Sequence, residues 1–178
     1  MKFLKVIVSL LIIVLIGLYG AGWTLPSTTH VERSIVIKQP PLKVYSYLLD
    51  FRNFVTWSPW AMLDPDTRYE YSGADEGVGA KMNWYSEDES VGTGSQEIMS
   101  VREPELIQIN LVFGGEQGGL VYYRLTPVDE GTELSWEFDT DFGSNIIGRY
   151  FGLMMDSMLG PFYERGLKDL KYQLEGPP

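Results

Sequence analysis

The 178-residue sequence predicts an α+β protein in which a seven-stranded antiparallel sheet is covered by a long C-terminal helix, behind one N-terminal hydrophobic helix. Three patterns lead there. No residue from Val6 to Leu25 is charged; strand-like segments then follow one another between glycine-rich or acidic turns; and from Asn145 to Leu174 the apolar period becomes helical.

The N-terminal run comes first. At about 1.5 Å of rise per residue it spans roughly 30 Å, the thickness of a bilayer's hydrocarbon core. Lys2 and Lys5 lie on its short N-terminal side, which the positive-inside bias assigns to the cytoplasm, so the folded part is expected outside. Tyr19 and Trp23 suit the far interface, and Pro26 ends the helix. The expected organisation is a membrane anchor over 1–25, a linker over 26–30 and a domain over 31–175. A cleaved signal peptide is the alternative, since Gly20-Ala21-Gly22 offers small residues, but the run is long for that role and Tyr19 and Trp23 crowd the site.

Alternation from His30 to Lys38 predicts the first strand, and Pro40-Pro41 stops it. A helix over Leu42–Leu49 follows, with a short helical piece near Phe51–Phe54. Beyond Trp57-Ser58-Pro59-Trp60, strands are expected near Arg68–Ser72, Ala80–Tyr85, Gly94–Arg102, Leu106–Phe113, Leu120–Thr126 and Glu133–Asp141. The breaks have hairpin spacing, which makes the sheet a meander, and the Gly114–Gly119 stretch reads as a loop able to gate a cavity. In the last helix Ile147, Phe151, Met155, Met158, Phe162, Leu170 and Leu174 run roughly along one face; Asn145 or Ser144 caps its start, and Pro161 is expected to kink it.

Charge and composition exclude several functions. The net charge is −10, and because the only charges before Glu32 are two lysines, the folded part is more negative still. A nucleic-acid backbone would be repelled, as would flat docking on anionic head groups. There is no cysteine and one histidine, His30, which removes thiolate chemistry and most zinc and triad schemes. Glu87-Asp88-Glu89 lacks the alternating oxygens of a calcium loop, and no glycine cluster ends in the Gly-Lys-Ser/Thr of a phosphate loop. No metal and no cofactor are expected.

The candidate site is apolar. Met154, Met155 and Met158, with Met62, Met82 and Met99 elsewhere, would form an adaptable lining for a guest or fill the core beneath the helix. Trp84, Phe113, Tyr122 and Trp136 are assigned to one sheet face, with Trp57 and Trp60 near its rim, as pocket walls or as packing. Glu133, Glu137 and Asp139 oppose Leu134, Trp136 and Phe138 and read as the solvated face. Arg68, Arg102 and Arg124 are expected to pair outward with glutamates rather than anchor a head group inside.

The order of these segments resembles the SRPBCC superfamily of START-like, polyketide-cyclase-like domains. The resemblance runs from His30 to Glu175. It rests on Val31-Glu32-Arg33-Ser34-Ile35-Val36-Ile37 leading to Pro40-Pro41, on Phe51-Arg52-Asn53 before Trp57-Ser58-Pro59-Trp60, and on Asp64-Pro65. Gly77-Val78-Gly79-Ala80 ahead of Trp84, Gly92-Thr93-Gly94, Gly131-Thr132 before Trp136, and Phe162-Tyr163-Glu164-Arg165-Gly166-Leu167 complete it. Similar domains behind a single hydrophobic helix form a subgroup of bacterial type. The resemblance implies a helix-grip fold whose sheet and C-terminal helix enclose a cavity for lipids, sterols or polyketides, and it implies no one reaction. Trp57, Trp60, Met82, Trp84, Phe113, Tyr122, Trp136, Phe151, Met154, Met155, Met158 and Phe162 are the expected ligand-binding set. The partners expected are a hydrophobic small molecule or lipid and the membrane, for a monomeric chain. Three functions stay open at this point: a membrane-tethered binding protein, an enzyme acting on a hydrophobic carbonyl compound, and an interaction module at the membrane surface.

Overall fold

Six consecutive strands, each joined to the next by a short connection, pair as an antiparallel meander, and the first strand closes onto the last of them. The computed structural model describes residues 2–177. Its elements are α1 (Lys2–Gly22), β1 (Thr28–Ile37), α2 (Pro41–Leu48), α3 (Phe51–Phe54), α4 (Pro59–Leu63), β2 (Arg68–Gly73), β3 (Ala80–Tyr85), β4 (Thr93–Arg102), β5 (Leu106–Phe113), β6 (Glu116–Val128), β7 (Gly131–Asp141) and α5 (Ile146–Glu175). The sheet order is β1-β7-β6-β5-β4-β3-β2, with every pairing antiparallel. This is the predicted α+β, helix-grip architecture.

Local chemistry explains most boundaries. Pro41 starts α2, where a missing backbone N–H costs nothing. Asp50 caps α3 by accepting from the Arg52 amide, and Asn145 caps α5 by accepting from that of Gly148 at 3.0 Å. The segment Pro59–Leu63, not expected to be helical, forms α4 with Pro59 in its first turn. The Gly114–Gly119 stretch is not a loop: only Gly114 and Gly115, both at positive φ, make the turn, and β6 begins at Glu116. Gly119 is needed inside that strand because the Phe138 ring of β7 lies where its side chain would be. β1 likewise begins at Thr28, so little separates it from α1.

The core forms where α5 crosses the concave face. Val31 and Ile37 of β1, Leu134 and Trp136 of β7, and Leu167 and Leu170 of α5 are almost wholly buried. Close approach depends on small residues: a side chain at Gly160 would strike the Arg33 guanidinium, and one at Gly166 would press on the Trp136 ring. Arg33 in turn reaches Asp156 at 2.8 Å and Glu164 at 3.0 Å, tying the edge strand to the helix. Lys171 Nζ donates to the Val36 carbonyl, and Gln39 Nε2 to that of Leu174. The helix runs on through Pro161.

The register identifies one end of the sheet. Thr28 pairs with Asp141, Leu111 with Gly119, Gly94 with Phe113, and Trp84 with Gly94. All therefore lie at the end where the chain arrives from α1 and where α5 begins.

The 21-residue α1 is long and apolar enough to cross a bilayer or to serve as a signal sequence. It is not free of the domain. Tyr150 donates its hydroxyl to the Leu18 carbonyl at 2.6 Å, Arg149 donates to the carbonyls of Trp23 and Leu25 and stacks over the Trp23 ring, and Gly22 lies against Ile146.

Candidate functional site

An apolar cleft opens between the concave face of the sheet, the α3–α4 corner and the middle of α5. It holds about 560 Å³ of unfilled space counting its open mouth, of which about 60 Å³ has room for the centre of a water molecule. A void of the second size takes several waters, so the cleft is narrow and a larger guest must push side chains aside. Its walls come from strands whose alternate residues face inward: Met82 and Trp84 of β3, Gln96 of β4, Leu111 and Phe113 of β5, Val121 and Tyr123 of β6, and Trp136 of β7. Phe54, Ser58 and Trp60 enter from the helical corner, and Tyr163 from α5.

Aromatic packing holds the closed side rigid. Trp136 and Tyr163 stack with centroids 3.9 Å apart, Trp57 meets Trp136 edge-on, and Trp60 stacks on Phe162. Trp84 lies directly over Gly94, where a side chain would collide with its ring, and meets Phe113 edge-on at the open end.

The polar content is sparse and uncharged. No ionised side chain lines the cleft among the described residues. Gln96 is 4% exposed and its amide Nε2 has no hydrogen-bond partner, nor has the indole Nε1 of Trp136, so the mostly apolar lining includes two residues with an unpartnered buried donor. Burial pushes the hydroxyls of Tyr123 and Tyr163 well above the usual tyrosine range, and that of Tyr69 upward. They stay neutral donors at any physiological pH. Such a surface favours a neutral, largely apolar guest with few hydrogen-bonding groups.

The structure brings Trp60, Met82, Trp84, Phe113 and Trp136 of the expected set together around the cleft. It places the others elsewhere. Trp57 is 1% exposed and packs in the core rather than at the rim. Tyr122 points to the opposite face, where the Arg124 guanidinium lies 5.2 Å from its ring, and Tyr123 takes the inward position. Phe162 backs Trp60 instead of lining the cleft, and Met155 is buried in the core. Phe151, Met154 and Met158 are exposed on the outside of α5, as are Met62 and Met99 on their own elements. The methionine-lined interior is therefore not found: of the six methionines considered, Met82 alone reaches the cleft.

The reasons lie in the sequence itself. In β6 the inward set Val121, Tyr123, Leu125 alternates with Tyr122, Arg124, Thr126, so the arginine already marked the outer parity. In α5 the face against the sheet carries Gly148, Gly152, Gly160 and Gly166, which a reading weighted by hydrophobicity passes over. Gln96 shares its parity with the buried Ile98, a signal available but not used. Glu137, expected in solvent, is 7% exposed because the Arg124 guanidinium covers it at 2.7 Å. Arg68 and Arg102 do pair outward, with Glu70 and Glu105.

A curved antiparallel sheet gripping a helix over an apolar cleft defines the START-like, hydrophobic-ligand-binding class of fold. Residues 28–175 match the family described as polyketide cyclase / dehydrase and lipid transport, and the chain belongs to that family. Solved structures agree in fold. A protein from Chromobacterium violaceum is 18% identical with a TM-score of 0.58, covering 84% of this chain and 99% of its own. A Staphylococcus aureus protein of unknown function is 11% identical with a TM-score of 0.62, covering 83% and 94%. The Aha1 dimer from Colwellia psychrerythraea is 16% identical with a TM-score of 0.56, covering 83% and 96%. No curated protein matches the sequence.

Proposed function

We propose that the protein binds one neutral, apolar or weakly amphipathic small molecule, of which a lipid is the leading class, in the cleft between sheet and α5, while α1 tethers it to the cytoplasmic membrane with the folded domain outside. The observation that carries this reading is the uncharged aromatic cleft with a single unpartnered amide, Gln96, inside it. The uncharged length of α1 and the lysines at its start support the tether and its orientation. Trp60, Met82, Trp84, Phe113 and Trp136, joined by Gln96 and Tyr123, are the proposed contacts.

Organic extraction of the full chain held in lipid nanodiscs tests the binding. Val121→Trp fills the cleft, and Gln96→Leu keeps its shape without the donor. The wild type should carry or take up a neutral apolar probe such as a fluorescent fatty-acid methyl ester in the cleft, quenching Trp84 and Trp136; Val121→Trp should not. Equal uptake by the wild type and Val121→Trp, both folded, would overturn the assignment.

The same amide favours a second reading, in which Gln96 and the neutral tyrosines polarise a substrate carbonyl as in polyketide cyclisation. Turnover of a polyketone abolished by Gln96→Leu with binding retained would select it over simple binding.

A further inference from the structure

We propose that the first half of α5 is seated in the lipid interface beside α1, so that the cleft opens toward the bilayer and its guest enters from lipid rather than from water. This rests on the tether proposed above, and adds a surface that the tether alone does not require.

Ile147, Phe151, Met154 and Met158 follow a spacing of four, three and four residues along one face of α5, and they are 82%, 44%, 57% and 44% exposed. No ionised side chain interrupts that face: Arg149 is turned to the carbonyls at the end of α1, and Asp156 to Arg33 on the far side. A continuous apolar stripe of this kind marks a contact surface.

The occupant follows from where the stripe begins. Tyr150 is bonded to the carbonyl of Leu18, which lies about 6 Å of helical rise inside the end of α1 at Gly22. Ile146 packs against Gly22 itself. If α1 spans a bilayer, these contacts place the opening turns of α5 level with Tyr19 and Trp23, the aromatic pair at the end of the span. The stripe is then continuous with lipid from its first residue. The negative net charge argues against a charge-driven contact, and the stripe supplies an apolar one.

The cleft shares this geometry. Phe113 and Trp84 lie at the end of the sheet nearest α1, and Phe113 is 44% exposed there. Further along α5, Phe162 follows Met158 on the stripe and stacks on Trp60 of the cleft wall. An apolar molecule leaving the leaflet along this face would stay covered until it reached the aromatic walls.

The chain has no cysteine, so single labels can be placed cleanly. Leu11→Cys, Phe151→Cys, Met154→Cys and Tyr172→Cys, each carrying a polarity-sensitive fluorophore, would be reconstituted as full chains in phosphatidylcholine vesicles containing nitroxide-labelled lipid. Leu11 reports α1, and Tyr172 is an exposed site at the other end of α5. The expected result is strong quenching at positions 11, 151 and 154, at least threefold above position 172. Quenching at 11 with positions 151 and 154 no better quenched than 172 overturns the seated helix while leaving the tether. No quenching at 11 overturns the tether and the seated helix together. Disulfide formation between copies of unlabelled Met154→Cys under a mild chemical oxidant, with no lipid quenching of the labelled form, overturns the bilayer as occupant in favour of a second copy.

Discussion

The first half of α5 is the richer in apolar side chains, yet it is the second half that buries them. From Gly160 onward, Tyr163, Leu167, Leu170 and Leu174 are buried against the sheet, whereas before it Ile147, Phe151, Leu153, Met154 and Met158 are exposed and only Ile146 and Met155 among the apolar side chains are buried. The difference is where each half lies. The second half crosses the concave face beside β1 and β7; the first runs beside the end of α1, with glycines rather than large side chains against Phe142 and Thr29. Hydrophobicity in a helix thus reports that a face is meant to leave water, not which surface receives it.

The largest expected effect separates the halves directly. Leu170→Ala should cost about 3 kcal/mol through a cavity in a fully buried site, while Met154→Ala should change stability by under about 0.5 kcal/mol. Denaturant unfolding of both chains in the same detergent would measure this, and equal losses would break the comparison. Next, Gly166→Val should cost about 2 kcal/mol, because the new side chain meets the Trp136 ring and Pro59 and the helix must shift. The same assay should show near-Trp136 fluorescence changing with it.

Gln96→Leu sharpens the contrast between packed core and cleft. Removing an unpartnered buried amide should raise stability by about 1 kcal/mol, yet weaken retention of any guest that offers a hydrogen-bond acceptor. A thermal shift with and without guest would read both signs.

The smallest effect lies on the solvent side of β1. His30 Nδ1 is 2.6 Å from Asp139, and this hydrogen bond, with Glu32 helping against some desolvation, raises its pKa above 6.5. A raised folded pKa contributes stability that is fully present below the ordinary histidine value and lost as pH rises through the folded one. Stability should therefore fall slightly from pH 6 toward pH 8, and His30→Gln should flatten that slope; the pair is half-exposed, so the change stays small. An unchanged slope in the variant would assign the dependence elsewhere.

Much of the fold was legible from the residues. Gly-rich and acidic turns bounded β3 and β5 to the residue, and Asn145 marked the start of α5. What failed were phases. Tyr122 and Tyr123 are neighbours of one type, so choosing between them needed the parity set by Arg124, and α5 was read by its large residues when its contact face is built on small ones. The site suffered most, because a cleft exists only where several elements fail to meet.

The amino-acid order alone determined most element types, the meander and the apolar character of both α1 and α5, since these follow from periodicity, turn residues and the absence of charge over short stretches of chain. Only the tertiary structure decided which apolar faces became core, cleft or exposed surface. That outcome depends on distances between residues far apart in the chain, such as Tyr150 to Leu18 and Gly166 to Trp136, which no local pattern encodes.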